Sequence, residues 1–104
     1  MIIFNESNFE DEVANSEVPV LLDFWAPWCG PCNAMTPVLE QLGEEFHGRA
    51  KVGKINIEEQ KELAAAHEVS AIPAFVFYKG GEIVKSLVGI QTAESLKKEF
   101  EELL

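Results

Sequence analysis

Two cysteines stand three residues apart in Trp28-Cys29-Gly30-Pro31-Cys32, and the chain contains no others. Thiols at that spacing do redox chemistry or supply half of a tetrahedral metal site. Stapling is a poor third use. Closing so short a loop is worth only about 2 kcal/mol on the chain-entropy estimate, against about 3 kcal/mol for a 15-residue loop. A zinc site would need a second ligand pair, and His47 and His67 are too far apart in the chain to form a close one. An inert buried pair fits poorly with the flanking Trp28 and the Gly-Pro dipeptide, which read as a surface turn.

What holds the pair decides between these uses. After Cys32, the residues Met35, Val38, Leu39, Leu42 and Phe46 recur at helical spacing, and Val18 to Trp25 before it is a nearly unbroken apolar run. The pair therefore sits where a buried strand turns into an amphipathic helix. Cys29 falls at the helix N-terminus, where free N–H groups and the macrodipole favour a thiolate. Pro31 is tolerated in a first turn, and the i, i+3 spacing brings Cys32 to the same side, within disulfide reach. The outer Cys29 should attack a substrate disulfide and the inner Cys32 should resolve the mixed disulfide. Pro37 is expected to bend the helix.

The remaining elements follow from the same periodicities. Ile2 to Phe4 reads as a short strand. Ser7 and Glu10 form a capping-box pattern that opens a first helix over about residues 7–15. Lys51 to Ile57 is a strand, Gln60 to His67 a helix, and Ala74 to Tyr78 and Ile83 to Val88 form a hairpin across Lys79-Gly80-Gly81. Thr92 caps a last helix whose apolar face is Leu96, Phe100, Leu103 and Leu104. The order βαβαβαββα predicts an α/β fold, a central mixed β-sheet of four to five strands flanked by four helices on both faces. With 104 residues, 47% of them hydrophobic and 25% charged, and no repeat or linker, residues 1–104 read as a single domain.

Composition also excludes partners. Eighteen acids against eight bases give a formal charge of -10, which repels nucleic acid and anionic membrane surfaces. No apolar stretch approaches the roughly 18 residues of a membrane helix, and the start of the chain lacks the basic region of a secretion signal. Neither a Gly-rich nucleotide loop nor a metal constellation is present, so no bound cofactor is expected. Reducing equivalents must then arrive through a protein partner.

Two charges sit badly in their segments. Asp23 interrupts Val20-Leu21-Leu22-Asp23-Phe24-Trp25, where an isolated carboxylate costs several kcal/mol unless it is neutral or paired; its pKa should be raised, unless it is a solvated strand-end residue. Lys54 lies in the middle of an apolar strand and could simply snorkel from a sheet edge. Trp25 is expected to pack under the cysteine loop, and Trp28 to stand partly exposed beside Cys29. His47 and His67 read as ordinary helix residues. Pro73 opens a strand, a common place for proline.

The run Asp23-Phe24-Trp25-Ala26-Pro27-Trp28-Cys29-Gly30-Pro31-Cys32, with Pro37, Lys54, Ile72-Pro73 and Gly89 following, resembles the thioredoxin family over essentially the whole chain. The resemblance implies the thioredoxin fold and a cytoplasmic, monomeric protein dithiol-disulfide oxidoreductase. Its redox group would be the reversible Cys29-Cys32 disulfide, its substrates disulfide-containing proteins, and its partner a thioredoxin reductase. It further implies that Asp23 lies buried behind Cys32 as general base, with Lys54 beside it tuning it. The Ile72-Pro73 bond would be cis, leaving the backbone of Ile72 free to pair with an extended substrate. Trp28, Gly30, Pro31, Ile72, Pro73, Val88, Gly89 and Ile90 would form the substrate groove. Two rivals remain: an oxidase or isomerase of the same fold, and a binding module that uses the groove and not the thiols. The Gly-Pro between the cysteines and Ile72 before Pro73 resemble the reducing members. Two departures stand out. Asn33 occupies a place where many members carry a basic residue, which removes a positive charge near the thiolate, and Ala74 replaces a commoner threonine.

Overall fold

Val20–Trp25 (β2) is the strand on which the architecture is built, and the computed structural model, which describes residues 1–104, buries its first five residues completely. A strand buried on both faces must have neighbours on both edges. Lys51–Asn56 (β3) pairs parallel to it on one side and Ala74–Lys79 (β4) antiparallel on the other. Ile2–Ile3 (β1) adds parallel to β3, and Glu82–Val88 (β5) antiparallel to β4, giving one five-stranded mixed sheet in the order β1-β3-β2-β4-β5. Gly80 and Gly81 turn the β4–β5 hairpin, both at positive φ, as a two-residue turn of the primed type requires. The β2 strand begins at Val20 rather than Val18; Pro19, which has no N–H to give a ladder, still accepts from Lys51 through its carbonyl.

Alternation along β2 sorts the core into two layers. Leu21 faces Gly30–Glu45 (α1) and Ala93–Leu103 (α3), where Met35, Leu39, Leu42, Phe46, Leu96 and Phe100 close one cluster. Val20, Leu22 and Phe24 face the other side, with Phe4, Val13, Val76 and Tyr78. That side is covered by a short π-helical turn, Glu10–Ala14, and by Lys61–Ala66 (α2). The sheet thus carries two helical elements on each face, as the sequence pattern predicted. α1 runs as one element through Pro37. Thr92 caps α3 by accepting from the Ser95 N–H at 3.0 Å.

Two local expectations fail. The Ser7–Glu10 capping box does not form, because Asn5 takes over: its Oδ1 accepts from the N–H groups of Ser7 and Asn8 at 2.9 Å and from the Ser7 hydroxyl at 2.7 Å. The hydroxyl is turned back towards Asn5, and the helix proper starts later, with a wide Asn15 N–H to Glu10 carbonyl bond. Leu104 lies past the end of α3 and is exposed, so it does not belong to that helix's apolar face.

Candidate active site

The strand-to-helix junction after β2 places both cysteines. Ala26 accepts from the Cys29 N–H at 3.1 Å, closing a turn that stops the strand. Cys29 is the N-cap of α1, in extended conformation, and its Sγ accepts from the Cys32 N–H at 3.2 Å. Pro31 occupies the first turn, where its missing N–H costs nothing. The Cys29 and Cys32 sulfurs are joined in a disulfide, with Cα atoms 5.2 Å apart, so the pair that could have been half a metal site is bonded to itself. Cys29 is 5% exposed and Cys32 only 1%, which keeps the expected order of outer and inner sulfur. No group of three or more His, Cys, Asp or Glu side chains gathers to hold a metal.

Asp23 lies on the face of β2 that α1 covers. It follows Leu21 and precedes Trp25 on the α1 side of β2, and Cys32 begins the sheet-facing stripe of α1 that continues through Met35, Leu39 and Leu42. Asp23 is 0% exposed, so the solvated strand-end alternative is wrong, and neither carboxyl oxygen has a hydrogen-bond partner. Burial raises its pKa from 3.8 to about 7, even though the nearby Lys54 charge pulls the other way. Lys54 is directly opposite Asp23 in the β2–β3 register. Its ammonium lies 3.8 Å from the centre of the Trp25 ring, a cation–π contact that an edge lysine reaching for water would not make. Trp25 in turn packs against Ala26, Cys29 and Cys32, under the loop as expected.

The surface beside the sulfurs is built from three loops. Ile72 packs against the cysteine pair, and the Ile72–Pro73 bond is cis. The N–H and C=O of Ile72 make no hydrogen bond within the chain. Gly89, at positive φ, donates to the Pro73 carbonyl at 2.8 Å, which sets Val88, Gly89 and Ile90 alongside Ile72 and Pro73. Val88 and Ile90 are exposed apolar side chains, as is Trp28 at 67%, while Gly30 and Pro31 are exposed between them. Of the residues predicted for a groove, Ile72 packs on the cysteine pair, Gly89 is bonded to Pro73, and only Pro73 itself is buried. A concavity of about 900 Å³ lies elsewhere, among Met1, Ile2, Glu40, His47 and Lys51, and none of the groove residues lines it.

Three contacts were not foreseen. Trp28 donates its ring N–H to Glu58 at 2.9 Å, and Asn33 donates its side-chain amide to the Pro27 carbonyl at 3.0 Å. Glu58 was findable in principle, since Asn56 at the end of β3 accepts from the Glu58 N–H at 2.9 Å, an Asx turn that asparagine after a strand foretells. The third is His67, which is not an ordinary helix residue: it bonds the Leu63 carbonyl at 2.8 Å and the Tyr78 hydroxyl at 2.6 Å on the opposite face of the sheet. His47 is exposed near the end of α1.

A family model described as Thioredoxin matches residues 1–102. The chain is 39% identical to "Thioredoxin 1" of Nostoc sp., covering 95% of this chain and 92% of that protein. It is 45% identical to "Thioredoxin" of Haemophilus influenzae over 82% of this chain and 79% of that one. It is also 39% identical to "Thioredoxin M-type, chloroplastic" of Spinacia oleracea, covering 96% of this chain and 55% of the plant protein.

Proposed function

The chain belongs to the thioredoxin family, and from that premise we propose how its residues divide the work. It is a dithiol-disulfide oxidoreductase whose redox group is the Cys29–Cys32 disulfide itself, acting on disulfide-containing proteins and recycled, as the family is in general, by a reductase. Starting from the dithiol, the Cys29 thiolate attacks one sulfur of a substrate disulfide. A Cys29–substrate disulfide forms, and the other substrate sulfur leaves as a thiolate that takes up a proton. Asp23, ionised, removes the Cys32 proton. The Cys32 sulfur then attacks Cys29 Sγ, the mixed disulfide breaks, and the second substrate thiolate departs. Two electrons pass to the substrate, which ends as two thiols, and the chain ends in the disulfide form.

Lys54 favours the ionised form of Asp23 and so prevents burial from silencing the base. Substrate lies extended along Ile72, whose free N–H and C=O offer strand-type pairing. Trp28, Gly30, Pro31, Pro73, Val88, Gly89 and Ile90 complete a mostly backbone and apolar surface that discriminates little between sequences. Residues 1–104 act as one domain and as a monomer. Its place is the cytoplasm, where thiols are kept reduced, and its partner there is a thioredoxin reductase. No helix is long and apolar enough to cross a membrane.

One observation carries the reading: a disulfide at the N-cap of α1, with a buried carboxyl group that has no partner in the chain on the α1 side of the preceding strand. Incubation with a peptide disulfide, followed by intact mass, tests it. The wild type should release two peptide thiols per turnover, Cys29→Ser should release none, and Cys32→Ser should stop as a covalent adduct one peptide heavier. Continued reduction by Cys29→Ser, or turnover without adduct by Cys32→Ser, would overturn the assignment.

A further inference from the structure

Asn33 reaches back across the cysteine pair twice. Its backbone N–H donates to the Cys29 carbonyl at 3.1 Å, and its side-chain Nδ2 donates to the Pro27 carbonyl at 3.0 Å. The orientation of the side-chain amide follows from its partner, since a carbonyl only accepts. The Pro27 carbonyl has no other hydrogen bond in the chain. Ala26 and Cys29 are buried, but Pro27, Trp28 and Asn33 are all exposed, so burial does not fix the outer part of this loop. Two side-chain links hold that outer part: Trp28 to Glu58 on one side, and Asn33 to Pro27 on the other.

The second tether matters to the sulfur. Cys29 Sγ stands 3.2 Å from the Cys32 N–H, one of the donors a helix N-terminus leaves without a partner. That donor serves the sulfur only while Cys29 keeps the extended N-cap conformation, φ −87 and ψ 106. A basic side chain at position 33 could favour the thiolate by charge alone; neutral Asn33 cannot, so the site depends on aimed dipoles. We infer that Asn33 is a positioning residue for Cys29: its side-chain amide locks the Pro27–Cys29 turn and holds the attacking sulfur over the first-turn N–H groups of α1. This rests on the role given above to Cys29.

The test compares reduced wild type with Asn33→Leu, Asn33→Asp and Asn33→Gln, following alkylation of Cys29 by iodoacetamide against pH, together with thermal unfolding. The charged groups of the neighbouring elements, Asp23 and Lys54 in the sheet and Glu58 beyond Trp28, stay unchanged throughout. Asn33→Leu keeps the size and removes the donor without adding charge. Its alkylation at low pH should slow by roughly threefold to tenfold, the range one hydrogen bond supports, with the titration of Cys29 moved to higher pH. Asn33→Asp replaces the donor with a repelling acceptor and should lose more. Asn33→Gln, which can reach the same carbonyl, should return towards the wild type. If Asn33→Leu titrates as the wild type does, whether or not it melts earlier, Asn33 is structural only and the inference falls. If the wild type itself alkylates first at Cys32, the premise about Cys29 fails and takes the inference with it.

Discussion

Opposite faces of the sheet each bury a polar group, and they treat it in opposite ways. Tyr78 on β4 faces the layer of the π-helical turn and α2, where its hydroxyl lies 2.6 Å from His67 Nε2. His67 Nδ1 stands 2.8 Å from the Leu63 carbonyl, which can only accept, so Nδ1 carries a proton, and in the neutral ring Nε2 accepts from the tyrosine. Phe9 and Phe24 close over the imidazole. Every polar atom there has a use, and the arrangement ties α2 to the sheet. Asp23, one strand away and on the other face, has no partner for either oxygen. A satisfied buried group secures a fold, whereas one without a partner in the chain is a cost, and such groups cluster where a proton is held or moved.

The contrast breaks most visibly at Asp23→Asn. The carboxyl pKa is about 7 in the folded chain and 3.8 as the reference, so the folded state binds the extra proton between those values. Its stabilising contribution is complete below about pH 4 and is lost as pH rises through about 7. At 1.36 kcal/mol per pH unit, that interval amounts to about 4 kcal/mol. Asp23→Asn should therefore unfold at higher denaturant than the wild type above pH 7, with the gain shrinking towards zero in acid. Resolution of the mixed disulfide should slow by about 100-fold, within the usual range for losing a general base. Denaturant titrations at several pH values and stopped-flow kinetics of adduct decay read the two effects separately. A variant that was less stable, or that resolved at full rate, would end the role given to Asp23.

The two faces were also unequally legible in the sequence. Asp23 announced itself because a charge inside Val20-Leu21-Leu22-Asp23-Phe24-Trp25 violates the pattern of its own segment. The cysteine pair did so through a local motif at a strand-to-helix junction. All five strands and the four helical elements were visible for the same reason, since period 2, unbroken apolar runs and period 3.6 are properties of neighbouring residues. His67 gave no such signal. Its partner Tyr78 is eleven residues away and meets it only once α2 folds over β4, and nothing in Gln60 to His67 marks the contact. Asn33 is the same kind of case, and the Trp28 link of Glu58 is too, although the Asx turn of Asn56 marks where Glu58 stands. The capping box does not form because Asn5, two residues earlier, takes the Ser7 N–H that Glu10 would have to reach.

Lys54→Met sharpens the Asp23 side by a smaller step. The methionine keeps the apolar stem against Trp25 and removes the charge that lowers the Asp23 pKa. That pKa should then rise further, so less of the base is ionised at neutral pH. Mixed-disulfide resolution near pH 7 should fall by up to roughly tenfold and recover in more alkaline buffer. Measuring adduct decay against pH separates this from a structural defect, which would lower the rate at every pH. An unchanged pH profile would mean that Lys54 does no more than cover Trp25.

Tyr78→Phe addresses the other face and should produce the smallest change. The substitution keeps the ring against Phe9 and deletes the proton that His67 Nε2 accepts, leaving one imidazole nitrogen half-buried without a partner. The cost should be about 1 kcal/mol of unfolding free energy, the usual size for such a bond. Disulfide reduction should stay at the wild-type rate, because the pair lies across the sheet from Cys29 and Cys32 and is joined to α2 rather than to α1. Equilibrium denaturation and peptide-disulfide turnover on the same preparation decide it. A loss of turnover without a loss of stability would show that both faces serve the chemistry, and the division between a satisfied face that holds and an unsatisfied face that reacts would have to be given up.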